Sequence, residues 1–67
     1  MTPKRQWEEF AEALETEAHI TKKAAEKAKQ GQQVGAATIL MGNAALLLNI
    51  ATAARKIANA IASDEAQ

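Results

Sequence analysis

The sequence predicts an all-α protein: a two-helix antiparallel hairpin that assembles into a homo-oligomeric helical bundle, a dimeric four-helix bundle or larger. Three observations predict it. Apolar residues recur at a 3.6-residue period on both sides of positions 31–35. The two glycines of that interval, Gly31 and Gly35, suit a short helix–helix turn and not a helix interior. The large apolar side chains are divided unevenly between the two halves. No strand pattern competes, so the 67 residues read as a single helical-hairpin domain.

Helix 1 is expected from about residue 3 to about residue 30. Thr2 offers a capping hydroxyl, and Pro3 fits the first helical position because its missing N–H would have no partner there anyway. Trp7, Phe10, Ala11, Leu14, Ala18, Thr21, Ala25 and Ala28 share one arc, opposite Glu8, Glu12, Glu15, His19, Lys22, Lys23, Glu26 and Gln30. Lys27 and Lys29 fall in the last turn, and Gly31 is expected as the left-handed cap. A turn over 31–35 leads to helix 2, about 35–62, and then to a polar tail over 63–67. One uninterrupted helix through both segments is the competing arrangement.

The apolar inventory explains why assembly is expected. Of 32 apolar residues, 17 are alanine. Helix 1 supplies four large apolar residues, Trp7, Phe10, Leu14 and Ile20, whereas 34–61 supplies ten. A wide apolar arc on helix 2 cannot be covered by so thin a stripe within one hairpin. Leaving a large aliphatic exposed forgoes roughly 1.5–3 kcal/mol, and the simplest cover is another copy of the same surface. The expected oligomer core is Ile39, Leu46, Leu47, Ile50, Ile57 and Ile61. Asn43, set among these aliphatics, is expected to fix register and oligomeric state.

Between Gln30 and Ala54 there is no charge, which raises a membrane span over 34–54 with Arg55 and Lys56 as its positive flank. Against it stands the angular pattern. Gly35, Thr38, Gly42, Ala45, Asn49, Thr52, Lys56 and Asn59 form one small or polar stripe, so the helix is amphipathic.

Charge is also graded along helix 1. Residues 8–17 hold five glutamates and no base, and residues 22–29 hold four lysines against Glu26. The gradient complements the helix macrodipole, and it would equally set an acidic half against the basic half of an antiparallel copy.

Few residues are equipped for chemistry. The chain has no cysteine, which excludes a disulfide scaffold and a thiolate zinc module. His19, the single histidine, sits on the polar arc, where a Glu15–His19 pair is expected and not a metal site with Glu12 and Glu15. Glu17 falls inside the apolar arc, where it reads as a boundary carboxylate that snorkels to water or, alternatively, as a polar contact with Asn43 or with a ligand at the oligomer seam. Trp7 is expected to plug the core end, with ligand stacking as its other use. No phosphate-loop signature and no nucleophile–base set can be assembled.

These features lead to an expectation of a small, non-enzymatic, cytoplasmic interaction or regulatory protein, an adaptor or inhibitor, without a cofactor or metal. Its partners would be copies of itself, together with a protein or a small ligand held at the seam by Trp7, Glu17 or Asn43. The membrane protein is the alternative. Nucleic-acid binding through Lys22, Lys23, Lys27 and Lys29 is a third and weaker reading, because net charge is zero.

Overall fold

The computed structural model describes the backbone of residues 2–66 and the side chains of residues 2–61. Two helices, α1 (Pro3–Gln30) and α2 (Val34–Ala66), pack against each other as an antiparallel hairpin about 54 Å long. Among the described residues there is no strand.

The start of α1 follows its sequence signal. Thr2 is extended (φ −79°, ψ 153°), its hydroxyl oxygen accepts from the Arg5 N–H at 3.1 Å, and Pro3 opens the helix. Arg5 then reaches forward along the first turns to Glu9 at 3.3 Å and Glu12 at 3.5 Å. These exposed pairs add little each.

The turn differs in detail from expectation. Gly31 keeps a near-helical backbone (φ −84°), and the left-handed residue is Gln32 (φ 64°). Holding the helix for one more residue lets the reversal satisfy its last carbonyls. The Gln33 N–H donates to the Ala28 carbonyl at 2.8 Å, and the Gln32 N–H donates to that of Lys29 at 3.0 Å. This is the Schellman closure, with a glutamine where glycine would be unstrained. The turn is therefore residues 31–33, and α2 is already under way at Val34. At the far end α2 continues to Ala66 and does not give way to a polar tail after residue 62. After Gly42 no glycine or proline interrupts it, and alanine-rich sequence sustains a helix.

The contact between the helices is the feature that the sequence pattern left unspecified. Every fully buried side chain described is alanine: Ala11, Ala18 and Ala25 from α1, and Ala37, Ala44, Ala51, Ala54 and Ala58 from α2. Ala11, Ala18 and Ala25 lie seven residues apart, as do Ala37, Ala44, Ala51 and Ala58. A face that returns every seven residues drifts on a straight helix, so the two helices wind around each other as an antiparallel coiled coil. Beside this line run half-buried Leu14, Thr21 and Ala28 on α1, and Leu40, Leu47 and Ile61 on α2. Ala11, Ala51 and Ala54 form one buried cluster, against which Leu14 packs.

Alanine, and not the bulky arc of α2, faces α1 because two backbones can approach closely only across small side chains. Helix spacing depends on the side chains at the contact. Each buried methyl contributes about 0.8 kcal/mol, far less than a buried leucine, so the seam gains contact density at the expense of apolar area. Ala18 is 2% exposed, which leaves no room for a larger side chain. Ala18→Leu is expected to destabilise the hairpin by about 1–3 kcal/mol through overpacking. Thermal unfolding followed by far-UV circular dichroism would read this, and an unchanged or raised midpoint would show that the helices do not meet there.

Candidate interaction surface

With alanines on the seam, the two flanks of the hairpin acquire opposite characters. In an antiparallel pair, the residues just before the seam positions of the two helices share one flank. Those just after the second line of the seam share the other.

On the first flank, Thr21 of α1 meets Leu40, Asn43, Leu46, Leu47 and Ile50 of α2 around a shallow depression. Phe10 and Ile20 continue this flank along α1, and Ile39 and Ile57 continue it along α2. The second flank carries Glu15 opposite Arg55, and Lys22 and Lys29 opposite Val34 and Met41.

The apolar flank is open. Six of the ten exposed large apolar side chains lie on it: Phe10, Ile20, Ile39, Leu46, Ile50 and Ile57. Ile39 is 67% exposed, Leu46 61% and Ile50 48%, so residues expected to form a core are uncovered in a single hairpin. Leu47 and Ile61 are half-buried against the seam. Trp7 and Phe10 pack edge to face, with ring centroids 5.9 Å apart and planes at 79°, at the open end of the hairpin.

Asn43 and Glu17 are both exposed on this flank, and neither side chain makes a hydrogen bond or ion pair within the hairpin. They are not brought together. The pairing of Ala11 with Ala51 and Ala54 sets Glu17, six residues further along α1, level with residues 45–48 of α2. Asn43 lies further toward Gln30–Val34, and Trp7 lies toward the opposite end. A ligand site drawing on Trp7, Glu17 and Asn43 together is therefore not assembled within one hairpin.

The outer face of α2 is the small and polar stripe anticipated from its periodicity. The Thr38 and Thr52 hydroxyls donate to the carbonyls of Val34 and Leu48, both at 3.0 Å, leaving their methyls outward. A Cβ placed on Gly35 or Gly42 would meet nothing within 4 Å, so packing inside the hairpin does not require glycine at either position.

The strongest polar contact between the helices is one the sequence reading passed over. Glu15 is not given to His19. Its carboxylate accepts two hydrogen bonds from Arg55, Nε to Oε2 at 2.9 Å and Nη2 to Oε1 at 2.5 Å. This bidentate fork crosses the charged flank and fixes the axial register of the two helices. Read from sequence, Arg55 is only the end of an uncharged run, and its reach to Glu15, 40 residues away, becomes visible once the helices are folded together. Among the described residues, no three His, Cys, Asp or Glu side chains are grouped so as to hold a metal ion.

No protein-family model, no curated protein and no solved structure matches this chain.

The Arg55 fork lowers the Glu15 carboxyl below its ordinary value of 4.5: its hydrogen bonds act most strongly, partial desolvation opposes them, and charge attraction adds to the lowering. A depressed acid stabilises the fold above its unfolded value, and that contribution is lost as pH falls through the folded one. Glu15→Gln is therefore expected to lower the unfolding midpoint at neutral pH and to flatten its dependence on pH below 4.5. Identical pH profiles for the two proteins would contradict this role.

Proposed function

We propose that this chain is a small, non-enzymatic interaction protein that works as a homo-oligomer, the hairpin being half of a four-helix bundle. A single observation carries the reading: the seam consumes alanines, and most of the exposed large apolar side chains gather on one flank, whereas the other carries Glu15, Arg55, Lys22 and Lys29 beside Val34, Met41 and Leu48. A bundle half has this division, because its second layer of core is supplied from outside.

Surface area agrees. The hairpin exposes 4869 Å². A compact folded monomer of 7.1 kDa would expose about 4,100 Å². The excess is of the order of the ~800 Å² that each partner buries in a standard interface. In such an assembly the charged flank, with Glu8, Glu12, Lys22 and Lys29, remains outside for a protein partner of the adaptor or inhibitor kind. The seam between copies, lined by Asn43 and Glu17, is where a small ligand would be sequestered.

One observation favours a second reading, a membrane protein. The stretch Val34–Ile61 is long and apolar enough to cross a bilayer, and most of it is uncovered in the hairpin. Helix α1 would then lie at the surface.

Sedimentation equilibrium in detergent-free buffer tests the first reading against the second. The bundle predicts a soluble species of at least twice 7.1 kDa, reduced to the monomer by Leu46→Glu with Ile50→Glu. A folded wild-type monomer at micromolar concentration would overturn the proposal. So would recovery only with detergent or in vesicle flotation, and that outcome would favour the span.

A further inference from the structure

We infer that the turn half of the charged flank is a binding groove for a single-chain amphipathic anion, a medium-chain carboxylate whose alkyl chain lies over the alanine seam and whose head group pairs with the rim lysines Lys22 and Lys29. The groove is on the flank opposite the one proposed to join copies. The inference therefore goes beyond the bundle reading, and each can fail without the other.

The groove follows from the seam. Near the turn, Ala25 and Ala37 close the contact between the helices with methyls alone, and Ala37, at 8% exposed, is the most open of the seam alanines. Longer side chains on either side stand above this floor as walls. One wall is Lys22, Glu26 and Lys29 of α1, and the other is Val34, Thr38 and Met41 of α2. Together they bound a groove of about 430 Å³, within the range of small-molecule sites. Lys22 to Lys29 and Val34 to Met41 are each two helical turns, about 10 Å along the axis.

The α2 wall is apolar throughout. Val34 and Met41 are exposed, and the Thr38 hydroxyl is spent on the Val34 carbonyl, which turns its methyl outward. A slender alkyl chain can reach the methyl floor between the walls. A partner helix, about 10 Å across with its side chains, would rest on the rims.

Charge names the head group. Glu15, further along the same flank, has Arg55 as its partner from α2. The lysines have none, because α2 carries no charge from Val34 to Ala54. Among the described residues, the side chains of Lys22, Glu26 and Lys29 make no ion pair or hydrogen bond. Lys22 and Lys29 against Glu26 leave the groove with one net positive charge, which a single carboxylate balances and a polyphosphate would exceed. Lysine stems also lie along apolar surface while their ammonium groups stay in water, so the same two residues extend the apolar lining and present charge at its rim.

Met41 is the only methionine besides Met1, so isotope-labelled methionine methyls report on the groove by NMR, and Trp7 fluorescence reports on the open end of the hairpin. The probes are octanoate, decanoate and the neutral octanol, in detergent-free buffer, with helicity checked by circular dichroism. Octanoate is expected to shift the Met41 methyl saturably with Trp7 silent, and octanol to bind more weakly. Decanoate, two methylenes longer, is expected to bind roughly fourfold tighter or more. Lys22→Gln with Lys29→Gln is expected to weaken octanoate roughly threefold or more. Lys23→Gln with Lys27→Gln makes the same change in net charge on other faces of α1 and is expected to keep the wild-type affinity. Equal binding of octanoate and octanol, equal losses from the two lysine pairs, or no saturable shift at Met41 would overturn the assignment. So would binding abolished by Leu46→Glu with Ile50→Glu and untouched by the Lys22 and Lys29 changes, which would place the ligand on the apolar flank.

Discussion

The alanine seam is the constraint on which the rest of this structure depends. A helix can offer its neighbour bulk or proximity. With alanine at every seventh position on both helices, this chain offers proximity. Dense contact between backbones takes the place of a core of large side chains, and the coiled-coil winding keeps the small faces in register over the length of the hairpin. Everything larger than a methyl is displaced to the flanks or held half-buried beside the seam.

That displacement sorts the surface. Once Ala37, Ala44, Ala51 and Ala58 point at α1, the geometry of α2 sends Ile39, Leu46, Ile50 and Ile57 to one side, and Met41, Leu48 and Arg55 to the other. On α1 the same rule divides Phe10 and Ile20 from Glu8, Glu15, Lys22 and Lys29. The Glu15–Arg55 fork then secures the axial register on the charged side, where solvent limits its energetic weight. The apolar side has no comparable lock within one chain. An interface with another copy would supply both its cover and its specificity. Asn43 and Glu17 are exposed on this side and make no side-chain contact that holds the hairpin together.

Much of the helical layout was legible in the sequence. Thr2-Pro3 and Gly31 mark the limits of α1 because capping and reversal are local matters, settled by a few neighbouring residues. The rotation of α2 about its axis was not legible. Periodicity arguments weigh the largest apolar side chains most heavily, and they point to the arc around Asn43 as the inward face. The contact instead selects the smallest residues, and the signal that could have found it is the spacing of alanines at 11, 18 and 25 and at 37, 44, 51 and 58. The Glu15–Arg55 pair was hidden for a related reason, since it depends on the register that those alanines set. The left-handed Gln32 shows the limit of residue-type rules: the closure of the helix end determines which position reverses, even where a glycine stands next to it. The candidate surface was legible as a shortage of cover for α2, but its division into an apolar and a charged flank required the fold.

The central claim is that the apolar flank, and not the alanine seam or the charged flank, joins copies of this chain. Because the chain has no cysteine, a single introduced thiol can form a disulfide only between copies. Mild oxidation of Ile50→Cys, on the apolar flank about one turn from the level of the mid-length of α1, is the most direct test, with Lys22→Cys on the charged flank as the comparison. The account predicts rapid, near-complete covalent dimer from Ile50→Cys at concentrations where Lys22→Cys stays monomeric. Cross-linking from Lys22→Cys and none from Ile50→Cys would contradict it.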